Sequence, residues 1–195
     1  MNDFLEFSTL TSCYICRMTF TGSVSIATEA DIPELVILIN SAYRGESSKK
    51  GWTTEADLLE GQRTDGESLK TLFTTPGSVL LKYVNENNTI SACVNLQQQG
   101  RKLYLGMLTV SPSLQASGIG KKLLAASEQY ARENKVEAIR MTVISIRLEL
   151  IAWYERHGYN RTGETQPFPK NDPKFGIPKQ FLEFVVLEKN ITGEG

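Results

Sequence analysis

The order of predicted elements defines a single α/β domain of the α+β kind: a mixed, largely antiparallel sheet with helices on both faces. Three observations carry that reading. Segments with apolar residues at helical spacing alternate with β-prone runs. Three consecutive β-prone runs are joined by links too short for anything but antiparallel pairing. At 195 residues the chain is long enough for one core and short for two.

The stretch VSIATEADIPELVILINSAYRGES opens with a short β-prone run. Thr28 then stands as a helix cap with Asp31 three residues on, and Ile32, Leu35, Val36, Ile39 and Ala42 follow a helical period. Pro33 fits a first turn, where its missing N–H costs nothing. Next, GWTTEADLLEGQRTDGESLKTLFTTPG carries helix starts at Thr53 or Thr54 and near Gly66, separated by Gly61 and stopped by Pro76 and Gly77. SVLLKYV, TISACVNLQQ and KLYLGMLTV, split by the turn formers NENN and QGR, predict a meander. Ile119, Leu123, Ala126, Tyr130 and Ala131 return to helical spacing, and VEAIRMTVI is a near-continuous apolar run suited to a buried strand. RLELIAWYERHGY predicts a helix closed by Gly158. YNRTGE and KQFLEFVVLEK are two last strands about the Pro-rich loop PFPKNDPKFGIP.

Composition removes several functions. Lys and Arg total 21 against 22 Asp and Glu, scattered rather than massed, so there is no electrostatic footprint for nucleic acid or an anionic membrane. The first stretch, MNDFLEFSTLTSCYICRM, has an acidic start and no long apolar run, unlike a secretory signal or a membrane span. Residues 1–22 are read as an N-terminal extension, with Met18 an alternative start, 23–190 as the domain and 191–195 as a tail. Three cysteines, Cys13, Cys16 and Cys93, and one histidine, His157, leave no zinc set, so no metal site is expected. Reduced thiols point to the cytoplasm.

One segment asks for a ligand. In LQASGIGKKL two glycines and two lysines crowd the start of a helix. A Walker loop would need Gly at Gln115 and a hydroxyl at Lys122, and a dinucleotide fingerprint fails at Leu123 and follows a meander strand. The physics shared by those motifs survives. A helix start leaves about four N–H groups without partners and carries partial positive charge. Gly118 and Gly120 clear side chains from an approaching anion, and Lys121 and Lys122 add charge, so the mouth suits a pyrophosphate.

The surrounding stretch LGMLTVSPSLQASGIGKKLLAASEQYA resembles motif A of the GCN5-related N-acetyltransferases (GNAT), Q/R-x-x-G-x-G/A after a strand ending in a V-x-P-like step. Gln115, Gly118, Gly120, Val110 and Pro112 hold those places. Downstream, AWYERHGY resembles motif B through Tyr154, Gly158 and Tyr159. The element order over roughly residues 24–188 is also that family's order.

The resemblance implies a GNAT-type fold, acetyl-CoA as donor and direct transfer of acetyl to a primary amine of a small molecule or peptide. Gln115, Ala116, Ser117, Gly118, Ile119, Gly120 and Lys121 would take the pyrophosphate, and the backbone of Leu108, Thr109 and Val110 would pair with the pantetheine amides, a ligand adding itself as a strand. Tyr154 matches the tyrosine that protonates the leaving thiolate, a general-acid role typically worth ~10²–10⁴ in rate. Family members often carry a strand Glu as base, which KLYLGMLTV lacks; Glu149, Glu55 and Asp57 are candidates, as is water. Arg147 stands where motif B often has a CoA-contacting Asn, and is assigned to the cofactor. His157 suits a helix-end cap, and Cys93, within an apolar strand, is not expected to carry a covalent acetyl group.

In this fold, segments corresponding to 43–75 and 166–178 commonly wall the acceptor, which assigns Trp52, Tyr43 and Glu55 to the substrate, with Arg63 nearby. Two alternatives stand beside the acetyltransferase. One is a CoA-binding module that has lost catalysis, supported by the missing strand carboxylate and by Arg147. The other is a nucleotide-phosphate binder of another fold, for which only the glycines speak. A homodimer is expected, if at all, through FLEFVVLEK at a sheet edge.

Overall fold

The computed structural model describes residues 22–169 and 176–191. Met18, Cys13 and Cys16 lie outside them, as does part of the Pro-rich loop. Chain order runs β1 (Ser23–Ile26), α1 (Ile32–Tyr43), the one-turn α2 (Gly45–Ser48), β2 (Leu59–Glu60), α3 (Gly66–Thr74), β3 (Ser78–Val84), β4 (Ile90–Gln99) and β5 (Lys102–Val110). It continues through α4 (Ile119–Glu133), β6 (Ala138–Ile144), α5 (Leu148–Glu155), β7 (Asn160–Pro167), β8 (Ile177–Pro178) and β9 (Glu183–Asn190).

Seven strands form one sheet in the order β1-β3-β4-β5-β6-β9-β7, antiparallel throughout except for β5 beside β6. Alternation along β4 explains why helices cover both faces. Ala92, Val94 and Leu96 point into a core with Ile119, Leu123 and Leu124 of α4 and Ile151 of α5. Cys93, between them, points into a second core with Leu35, Leu38 and Ile39 of α1 and Leu69 of α3. Successive residues of β4 therefore feed opposite layers, and Ile90–Leu96 is buried without interruption. Among the described residues no helix is long and apolar enough to cross a membrane.

What positions the site is a failure of pairing. β5 and β6 are matched only at Lys102↔Ala138, Leu103↔Ile139 and Tyr104↔Arg140. Beyond Tyr104 the strands part. The register of β5 against β4 also shifts between Cys93 and Asn95, inserting one extra residue in β5, and Met107 there takes a positive φ of 54°. A bulge of this kind bends a strand and increases its twist.

Two expectations are corrected. No helix begins at Thr53 or Thr54: this segment is a series of turns leading to β2, which pairs with β8. Contacts to distant elements, described below, override its local propensity. Strand β9 lies inside the sheet between β6 and β7, so it is not a sheet edge; among the described residues the outer strands are β1 and β7.

The entry to α1 is fixed by Asp31, whose carboxylate accepts from the Thr28 N–H (2.7 Å) and from Lys82 Nζ on β3 (2.7 Å). Partial burial alone would raise its pKa, but those hydrogen bonds and the lysine charge hold it below the ordinary 3.8. A depressed folded-state value means a contribution that is complete at neutral pH and lost as pH falls through that value. Asp31→Ala is therefore expected to cost about 1–2 kcal/mol at pH ~7, with the deficit shrinking in acid, measured by urea unfolding at both pH values.

Candidate active site

Motif A is built by two left-handed residues. After a turn at Pro112–Leu114, Gln115 is extended, Ala116 takes φ 65° and Gly118 takes φ 85°. α4 starts immediately afterwards. Its first helical bond runs from the Lys122 N–H to the Gly118 carbonyl (3.1 Å), which leaves the N–H groups of Gly118, Ile119, Gly120 and Lys121 without helical acceptors. Gly120 matters for packing instead. A Cβ there would lie 3.4 Å from the Trp153 ring of α5, so the glycine lets the two helices close around the loop.

These amides open onto a cavity of about 560 Å³. Val110, Leu114 and Trp153 supply apolar wall, and Lys121 and Arg156 line it with positive charge. Trp153 sits at the centre of an aromatic group, with ring centroids 6.2 Å from Trp52, 5.0 Å from Tyr154 and 4.4 Å from His157. His157 Nδ1 donates to the Trp153 carbonyl (2.8 Å), which fixes the ring at the helix end.

A second cavity, of about 290 Å³, fills the wedge where β5 and β6 part, with Leu105, Gly106 and Met107 on one wall and Met141, Thr142 and Val143 on the other. Tyr43, Leu108, Leu150 and Tyr154 line both cavities, so the two meet at this group.

Tyr154 is buried, at 6% exposure, and its pKa is raised well above 10.0, mainly by burial and further by the neighbouring tyrosines. The hydroxyls of Tyr83 and Tyr159 are enclosed without a partner, whereas Tyr154 lines both cavities and its hydroxyl is not among the enclosed, unpartnered ones. Tyr43 donates to the Leu108 carbonyl (2.7 Å); burial and the Glu55 charge push its pKa up to about 12. Cys93 lines neither cavity, and burial pushes its thiol up to about 12, so it offers no thiolate nucleophile.

Sequence-predicted residues divide between the two cavities. Val110, Gln115, Ala116, Gly118, Gly120, Lys121 and Trp52 line the larger, Glu55 and Arg147 the smaller, and Leu108, Tyr43 and Tyr154 both. Ser117 and Ile119 line neither; the Ile119 side chain is in the core, leaving only its N–H for a ligand. Thr109 is a correction. The Ser111 N–H to Ser91 carbonyl bond and the register Cys93↔Thr109 turn the Thr109 main chain toward β4, so Leu108 and Val110 present the open edge. Trp52 faces the larger cavity, beside motif A, rather than the smaller one. Asp57 lines neither cavity, and Glu149 lines the larger. Burial works to raise the Glu149 pKa, but Arg147 holds it below the ordinary carboxylate range.

Arg147 is also corrected. Its Nη2 donates to the Trp52 carbonyl (2.9 Å), its Nη1 to the Thr53 carbonyl (3.4 Å) and its Nε to Glu149 (2.8 Å). At 6% exposure it clamps a loop and does not line the larger cavity. Gln115 clamps the same loop from the other side: its Oε1 accepts from the Trp52 N–H (2.8 Å), and its Nε2 donates to Thr53 Oγ1 (2.7 Å) and the Val110 carbonyl (3.2 Å). Trp153 and Leu150 were missed; their helical spacing from Tyr154 and His157 on the motif B helix was the available signal.

The sequence matches the acetyltransferase (GNAT) domain family over residues 53–170, more than half of the chain. The chain belongs to the GNAT acetyltransferases, a family whose members take acetyl from acetyl-CoA. Solved structures share the fold. The ribosomal-protein-S18-alanine N-acetyltransferase of Escherichia coli aligns over 89% of this chain and 96% of its own, at 15% identity and TM-score 0.66. An N-acetyltransferase from Staphylococcus aureus Mu50 covers 88% and 99%, at 14% identity and TM-score 0.68. A ribosomal-protein-alanine N-acetyltransferase from Brucella melitensis covers 86% and 99%, at 21% identity and TM-score 0.64. A search of curated proteins returned no match.

Arg147→Met is expected to leave the Trp52 and Thr53 carbonyls and Glu149 without their charged donor, costing about 1.5–3 kcal/mol by denaturant unfolding. Trp52 fluorescence should shift red as its loop loosens; an unchanged spectrum and stability would remove the clamp.

Proposed function

We propose that the protein is a cytoplasmic N-acetyltransferase that moves acetyl directly from acetyl-CoA to the primary amine of a small molecule or peptide, both substrates being bound together. The observation that carries this reading is the junction at Tyr43, Leu108, Leu150 and Tyr154, where a cavity headed by unpartnered helix amides meets a second cavity in the sheet wedge.

The residues present fit coenzyme A. Left-handed Ala116 and Gly118 and the amides through Lys121 form a cradle for a diphosphate, and the parted edge of β5 turns Leu108 and Val110 toward an extended chain, their carbonyls meanwhile accepting from Tyr43 and Gln115. When bound, the cofactor supplies an acetyl group activated as a thioester. Glu55 is the one carboxylate among the described residues lining the smaller cavity, held by Arg44 Nη1 on its Oε2 (2.5 Å), and is placed to meet an ammonium group. Tyr154 keeps its proton because ionisation is disfavoured by burial, so it serves as donor and never as base. Holding two reactants in attack geometry supplies roughly 7–11 kcal/mol, which two cavities meeting at one group of residues are shaped to do.

Free CoA released from acetyl-CoA across an amine panel tests the reading. Tyr154→Phe should lower kcat by ~10²–10⁴ with CoA affinity kept. In the wild type, kcat should show no descending limb below the ordinary phenol value of 10.0. Full activity in Tyr154→Phe removes the assigned role, and binding of CoA without turnover of any amine would favour a cofactor-binding module.

A further inference from the structure

Charge among the described residues of the smaller cavity does not balance. Glu55, Arg63 and Arg147 are the charged side chains among the described residues that line it. Glu55 is paired with Arg44, buried at 7% side-chain exposure, and Arg147 with Glu149. Arg63 differs: among the described residues no carboxylate meets its guanidinium. It is nonetheless held in place. The Arg63 N–H donates to Asn40 Oδ1 (2.7 Å), Thr64 is bound to the same side chain on both its N–H and carbonyl, and Arg63 Cζ lies 5.6 Å from the Tyr43 ring centroid.

Neutral groups complete the polar lining. Tyr104 and Thr142 bridge the wedge through their hydroxyls (2.8 Å), and the Asn95 amide oxygen faces the Ser78 hydroxyl (3.1 Å). The cavity therefore carries one positive charge with no counter-ion from the described residues. Its position is informative, because Arg63 stacks on Tyr43, whose hydroxyl touches Leu108 at the junction with the larger cavity. Arg63 thus stands one aromatic ring from the point where an amine would attack.

We infer that the acceptor is a small, amino-acid-like primary amine bearing a carboxylate, with Arg63 as the residue that selects it and Glu55 on its ammonium side. A planar guanidinium takes a carboxylate through two parallel hydrogen bonds, and a half-buried one does so with less competition from water. The volume of about 290 Å³ sits at the lower end of small-molecule pockets, which suits a molecule of that size. This inference rests on the acetyl-transfer reading.

The test uses the standard protein amino acids, each beside its carboxamide, as acceptors for the full chain with acetyl-CoA. At least one acid should exceed its amide by about tenfold or more in kcat/KM. Arg63→Gln should bring that ratio close to one by raising KM for the acid, and Arg63→Lys should restore it in part, with melting temperature and CoA affinity at wild-type values. Amides used as well as acids would overturn the inference while leaving acetyl transfer intact. So would an equal effect of Arg63→Gln on both. If no amine is acetylated, the acetyl-transfer reading fails, and calorimetry of the same amino acids against CoA-loaded protein decides the remainder. Binding lost in Arg63→Gln supports the carboxylate contact; no binding to the wild type removes it.

Discussion

Everything chemical in this molecule depends on two parallel strands that stop pairing after three residues. Had β5 and β6 continued side by side to Val110 and Ile144, their backbone groups would be satisfied by each other and the interior would be filled. Because they part, the sheet has an opening in its middle, walled by side chains from both strands, with main-chain groups of Leu108 and Val110 turned into it. The bulge near Met107 accompanies the bend, while β4 stays buried on both faces and paired with β3 and β5.

Motifs A and B act on one another as well as on a ligand. Gln115 and Arg147 come from the two motifs and hold the same short loop, Gln115 by the Trp52 N–H and the Thr53 hydroxyl, Arg147 by their carbonyls. Gly51 belongs to this arrangement, since a Cβ there would stand 2.6 Å from the Gln115 amide oxygen. Gly120 against Trp153 makes a second link between α4 and α5. Two residues assigned to the cofactor by motif position thereby prove to use their side chains mainly on protein.

Much of the fold was legible because periodicity reports burial directly. The runs SVLLKYV and KLYLGMLTV coincide with β3 and β5, and the apolar spacing after Asp31 and Gly118 marks α1 and α4. Glycine at 118 was readable because only a residue without a side chain takes φ 85° cheaply. What depends on distant partners was not legible. Residues 53–58 have helical propensity, yet their conformation is set by Gln115 and Arg147, more than 60 positions away. The interior place of β9 follows from a chain return that strand propensity does not encode, and the place of Trp52 in the larger cavity, beside motif A, depends on the same distant contacts.

The parting of β5 from β6 also bears on where the sheet leaves strand backbone without a neighbouring strand. Unpaired strand backbone is normally hazardous at a sheet margin, where any extended neighbour can attach. Here that margin lies within the fold, with Tyr43 of α1 and Leu150 and Tyr154 of α5 lining the cavities beside it. Concavity can do for an interior margin what charges and short strands do for outer ones: it keeps a second sheet from lying flat against it.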